Sequence, residues 1–158
     1  MVGLKRLSYE SRLRELGYSL PEPPKPIAAY VPSVKVGKLL FVSGVLPLVN
    51  NELLYVGKLG KEVTLEQGYE AAKVAALNAL SIIKSSLGSL EKVRKVVRLV
   101  GYVASAEGFV EQSKVVNGAS ELLIQVFGEK GKHSRVVVGV TELPRGAPVE
   151  IDMIVQTK

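Results

Sequence analysis

The chain contains no cysteine and a single histidine, His133. Disulfides, thiolate nucleophiles and cysteine zinc sites are thereby excluded, and one imidazole cannot make a two-histidine metal site or a histidine acid/base pair. No apolar run approaches the roughly 20 residues needed to cross a bilayer. The N-terminal MVGLKRLSYESRLRELG lacks the continuous apolar core and small-residue cleavage site of a secretory signal, so the sequence reads as cytoplasmic. Aromatic residues are also scarce near the densest basic cluster, Lys92, Arg94, Lys95 and Arg98. The net charge of +6 is otherwise dispersed, which suits a solvated surface better than a track for nucleic acid.

What is present fits one domain of 158 residues with an ordinary apolar content. Ser8 to Leu16 predicts a short helix, an appendage with Ser8 as N-cap, Leu13 and Leu16 on one side, and Gly17 as the stop. Leu20 to Pro26, LPEPPKP, predicts an extended polyproline-like strap. From Ala28 two apolar runs joined at Gly37 and Lys38 have the spacing of a hairpin. Ser43 and Gly44 follow Leu39 to Val42; they either let a backbone and a hydroxyl approach a ligand or simply end the strand. Asn50 to Glu52 mark a turn and Leu53 to Val56 a further short strand.

Thr64 and Gln67 form a capping-box pattern ahead of a long Ala-rich and Leu-rich helix predicted to end near Leu87. A strand follows to about Ser105, and a second long helix carries Val115, Ala119, Leu122 and Val126 at helical spacing, with Gly128 as its stop. Asn117 lies outside that apolar stripe and faces either water or a cleft. Two final strands, Ser134 to Thr141 and Val149 to Gln156, flank a Leu-Pro-Arg-Gly-Ala-Pro turn. This order describes an α+β layer structure, one sheet with two helices on a single face. Its other face, apolar as well, must meet something, and a homo-oligomer is the simplest cover.

Two charges stand out in the last strands, because Arg135 and Glu150 sit among residues built for burial. Arg135 can fork a carboxylate or phosphate with two parallel hydrogen bonds, or form an ion pair with Glu150 or Asp152 that fixes two strand ends. Glu150 and Asp152 share a strand face, so one could hold a water or accept a proton while the other stays solvated. His133, in the basic loop GEKGKHS, is either solvated or in reach of a ligand.

FVSGVLP at Phe41 to Pro47 and SRVVVGVTELPRGAPVEID at Ser134 to Asp152 resemble the Rid family of reactive-intermediate deaminases, also known as YjgF or L-PSP proteins. The spacings agree: Tyr30 precedes Ser43 by 43 − 30 = 13 residues, and Arg135 precedes Glu150 by 150 − 135 = 15. The resemblance covers nearly all of residues 27–156 and looks closest to a longer subgroup with an N-terminal extension. It divides the chain into that extension, residues 1–26, and a Rid-like domain, residues 27–158.

The resemblance implies a chorismate-mutase-like subunit with one mixed sheet. It further implies a homotrimer whose sheets line a central barrel, with ligand clefts between subunits. It implies hydrolytic deamination of 2-imino or enamino acids to 2-oxo acids and ammonia, a hydrolase reaction on a C–N bond without metal or organic cofactor. Arg135 would grip the substrate carboxylate and Glu150 would position water. Tyr30, Ser43, Gly44 and Asn117 would complete the substrate site. Two positions depart from the family pattern. Asn117 matches only if one extra residue is allowed before Arg135, and Val137 stands where many deaminating members have cysteine. Alternatives are a small-carboxylate-binding protein without turnover and, from the family's older naming, an RNA-binding or endoribonuclease-type inhibitor of translation.

Overall fold

A computed structural model describes residues 7–158; residues 1–6, where the expected extension begins, lie outside the described residues. Five strands form the main sheet: β1 (Ser33–Val36), β2 (Leu39–Val45), β5 (Val93–Ala104), β6 (Ser134–Val140) and β7 (Val149–Thr157), in the order β1-β2-β7-β5-β6. The sheet is mixed, since β6 runs parallel to β5 while the other neighbours are antiparallel. Helix α2 (Leu65–Leu87) carries the chain from β2 across to β5, and α3 (Gln112–Phe127) carries it from β5 to β6. Both crossovers step in the same direction across the sheet. The right-handed rule then lays both helices on one face, where they pack on each other and on the strands.

Local signals set most boundaries. The Thr64 side chain accepts from the Gln67 N–H while the Gln67 side chain accepts from the Thr64 N–H, and Gly88 closes α2 in the left-handed conformation. Asn50 and Asn51 both take positive φ, 52° and 66°, the requirement of a two-residue turn. That turn joins β3 (Leu48–Val49) to β4 (Glu52–Leu53) in a separate ribbon. The strand expected over Leu53 to Val56 is thus only the short β4, since the chain leaves the ribbon after Leu53.

The short helix α1 (Tyr9–Glu15) is capped by Ser8 as its sequence predicts, but it is not an appendage. Tyr9 and Leu13 are buried in the core, and the Tyr9 ring meets Phe127 edge-on at 4.7 Å. Leu16, expected beside Leu13, is instead 38% exposed. Glu10 accepts from the Leu90 N–H at 3.0 Å, fastening α1 to the entrance of β5.

One sheet face is buried against the helices and the other is bare. Phe41 is 42% exposed, Val136 41% and Val138 40%. The register aligns Phe41 with Ile154 and Val136 with Val100 on this bare side. The alanines of α2, which could have marked an oligomer seam, are spent inside the subunit: Ala71, Ala72, Ala75, Ala76 and Ala79 are fully buried. They let α3 approach closely enough that a Cβ at Gly118 would overlap the Tyr69 carbonyl. Gly118→Ala is therefore expected to push the helices apart and cost about 1–3 kcal/mol, measured as a lower denaturation midpoint at unchanged m value.

Candidate functional site

The expected site residues fall into two groups. Arg135 and Asn117 form one, on the helix-covered side of edge strand β6. Arg135 pairs in register with the buried Leu99 and reaches up to α3. There Nη1 donates to Asn117 Oδ1 at 2.8 Å and to Ser120 Oγ at 3.1 Å, and Nη2 donates to the Ser113 carbonyl at 3.3 Å. Ser113, Asn117 and Ser120 recur at helical spacing, a polar stripe on α3 turned toward β6. Neither serine was singled out from the sequence, although that spacing beside the apolar stripe was the available signal.

All three acceptors are neutral, and Arg135 pairs with no carboxylate among the described residues. The ion pairs with Glu150 or Asp152 do not form. Strand β5 lies between β6 and β7, and the two carboxylates point to the bare face, away from Arg135. Burial without a counter-charge lowers the guanidinium's proton affinity. A guanidinium has five N–H donors; those on Nε and the second on Nη2 have no partner among the described residues, so two remain for a ligand.

His133 supports this group: it is half-buried, and both its ring nitrogens bond within the chain. Its Nδ1 lies 2.6 Å from the Gly131 carbonyl, which can only accept, so Nδ1 carries the proton. Nε2 is then an acceptor for the Ser120 hydroxyl at 2.9 Å, and Ser120 Oγ is free to accept from Arg135. Desolvation lowers the His133 pKa below its ordinary 6.5; the Gly131 carbonyl opposes this and the Arg135 charge reinforces it.

Tyr30, Ser43, Gly44 and Glu150 form the second group, lining a cleft of about 500 Å³ at the other side of the sheet. Ser43 and Gly44 do not end their strand. Between the pairs Val42–Met153 and Val45–Ile151 they occupy a bulge in β2, two residues where β7 has one. The bulge turns the Ser43 hydroxyl to the Val31 carbonyl, 2.6 Å away. Any Cβ at Gly44 would overlap Glu150 Oε1, so glycine is what admits the carboxylate. Tyr30, in the bend before β1 and 45% exposed, also lines the cleft.

Glu150 makes no hydrogen bond or ion pair with any described residue. Its pKa is raised above the ordinary 4.5, first by desolvation and then by the neighbouring Asp152 charge. Asp152 in turn accepts from the Tyr102 hydroxyl at 2.9 Å. A half-buried carboxyl of raised pKa at a cleft is suited to move a proton. Arg135 and Asn117 do not line this cleft, so one chain brings together Tyr30, Ser43, Gly44 and Glu150, or Arg135 and Asn117, but not both. Among the described residues no cluster of three His, Asp or Glu side chains could hold a metal ion, and no helix is long and apolar enough to cross a membrane.

With only one histidine in the chain, its proton NMR titration reports this support directly. The midpoint is expected below 6.5, rising in Arg135→Ala as the repelling charge is removed. Because the unfolded chain takes up the proton first, this stability contribution is complete above pH 6.5 and is lost as pH falls through the lower folded midpoint. A midpoint at or above 6.5 would contradict the buried neutral imidazole.

Comparison with known proteins adds a family to this geometry. Residues 10–151 match the model of the family described as "YjgF/chorismate_mutase-like, putative endoribonuclease". The chain is 43% identical over 147 residues to Protein TCP17 of Trypanosoma cruzi, covering 92% of each chain. Its fold superposes on a protein of unknown function from Agrobacterium tumefaciens with a TM-score of 0.88, at 44% identity over 95% of this chain and 92% of that one. It is also similar to RidA from an Antarctic Psychrobacter, at 26% identity and a TM-score of 0.61, covering 85% and 94% of the two chains. With the strand order, the two helices on one face and a family match over most of its length, the chain belongs to the YjgF/chorismate-mutase-like, or Rid, family.

Proposed function

We propose that the protein hydrolyses reactive 2-imino acids to 2-oxo acids and ammonia at clefts between subunits. The observation that carries this is the division of the site: a guanidinium with two spare donors on one edge of the subunit, and an unpaired carboxyl of raised pKa in a cleft on the other. A second copy that lays its β6 edge against the cleft would join them. Family membership and the bare apolar face favour such self-association, and a homotrimer with the bare faces turned inward satisfies both.

In this reading Arg135 takes the substrate carboxylate on its two free N–H groups, with Asn117 and Ser120 holding the guanidinium in place. Fixing the carboxylate sets the imine carbon opposite Glu150 of the neighbouring subunit. The Glu150 carboxylate removes a proton from water as the water oxygen bonds to the protonated imine carbon. The resulting carboxylic acid returns that proton to the amine nitrogen; the C–N bond then breaks and ammonia leaves, while the hydroxyl passes its proton back to the Glu150 carboxylate and becomes the oxo group. No cysteine is required, which removes the difficulty raised by Val137.

Two measurements test this. Purified protein is expected to speed ammonia release from freshly generated 2-iminopropanoate or 2-iminobutanoate, and Arg135→Ala to abolish the acceleration. The rate should fall with decreasing pH at a midpoint above 4.5, as Glu150 becomes protonated. Arg135→Ala and Glu150→Gln, each inactive alone, should recover activity when unfolded together and reassembled. Random pairing leaves about a quarter of the clefts with an intact residue from each side. A mixture as inactive as its parents would show that one subunit supplies both groups; wild-type protein without effect on imines would end the deaminase reading.

A further inference from the structure

The cleft beside Glu150 is polar at only one end. Ser43, Gly44 and Glu150 lie together at the β2 bulge, whereas apart from Lys25 and Tyr30 the other lining residues are apolar, among them Leu46, Leu48, Ile82, Pro24, Pro26 and Ile27. Among the described residues its only basic lining residue, Lys25, is exposed. The cleft therefore holds a proton-moving group and an apolar chamber, without a buried cation to seat a carboxylate.

Two stretches that line it are fastened to α2. The Ser81 hydroxyl donates to the Pro21 carbonyl at 2.7 Å, tying the proline-rich strap to the helix. Three residues earlier, the Asn78 amide donates to the Leu46 and Leu48 carbonyls at 3.1 and 2.9 Å, tying down the chain that leaves β2. Ile82, 5% exposed and one residue past Ser81, lines the cleft from the same helix. Prolines in the strap further restrict its backbone. A wall held in this way has a fixed shape before any ligand arrives, which is what selection by size requires.

We infer that this chamber receives the side chain of the substrate, that it selects 2-imino acids with bulky apolar side chains, and that the strap is its specificity wall. The inference rests on the reading of the cleft as the site of a carboxylate-bearing ligand whose carboxylate is held by Arg135. A cleft of about 500 Å³ is within the range of small-ligand sites. A branched four-carbon side chain would cover the apolar walls, whereas a methyl group would leave most of them wetted. Each methylene seated in such a pocket is worth roughly a 10-fold to 200-fold preference.

The test uses the full chain and two readouts. By calorimetry, 2-oxo-4-methylpentanoate is expected to bind at least about 10-fold more tightly than pyruvate. Imines generated from leucine and alanine should show the same order in kcat/KM. Ile27→Asn, at a position just past the strap that is 56% exposed, should lower affinity for 2-oxo-4-methylpentanoate several-fold more than affinity for pyruvate. Preferential oxo-acid binding without imine turnover would keep the chamber and discard the deaminase. Turnover of both imines at equal kcat/KM, with Ile27→Asn silent, would overturn the chamber while the deaminase stands. If neither oxo acid binds and neither imine is turned over, both are overturned.

Discussion

A five-stranded sheet with apolar residues on both faces can be covered on only one of them by two helices that cross over in the same direction. The other face of this sheet, with Phe41, Val136 and Val138 open to water, is left for another molecule to cover. The same constraint governs the polar groups. Because β5 separates β6 from β7 and the pleat sends Arg135 and Glu150 to opposite faces, the two charges cannot neutralise each other within a subunit. What would be a structural ion pair becomes two prepared half-sites.

Each half-site bears its charge in a different way. Arg135 is surrounded by dipoles, so its charge is compensated in part but not cancelled, and a carboxylate bound there would meet an oriented donor edge. The neutral His133 matters because an imidazolium would make Nε2 a donor and oblige the Ser120 hydroxyl to turn away. Glu150 has the opposite arrangement. It has no donor among the described residues, and burial beside Asp152 raises the free energy of its ionised form. That cost is tolerable in a free subunit because the cleft is open, and it makes the carboxylate a better base when a proton becomes available.

The elements legible in the sequence are those specified by neighbours in the chain. Thr64 and Gln67 cap one another, Gly37 and Lys38 turn a hairpin, and Asn50 and Asn51 accept a conformation that few residues tolerate. Features that depend on distant residues were not legible. The burial of α1 is decided by Phe127 and by the entrance of β5, so a seven-residue helix looked peripheral. Ser43 and Gly44 looked like the end of a strand, because a bulge is visible only once β7 is counted against β2. Arg135 and Glu150 stand out in the sequence as charges in apolar strands, but whether they face each other is decided by the sheet order. Family spacing selected Tyr30, Ser43 and Asn117; it carried no information about which of them share a subunit's cleft.

Helix α2 is the element through which fold and cleft become one problem. Its alanine face stays small to admit α3, while another edge of the helix looks toward β2 and the strap. Asn78, Ser81 and Ile82 occupy that edge, and all three are buried. An asparagine and a serine at such positions would destabilise the helix packing if they lacked partners. Carbonyls from Leu46, Leu48 and Pro21 satisfy them, which means the backbone on either side of the cleft is held by the same hydrogen bonds that make these polar residues tolerable. The N-terminal strap is therefore integral to the domain in a physical sense. Removing it would leave the buried Ser81 hydroxyl without its acceptor and expose the apolar side of Ile82, altering the helix that also positions the end of β2.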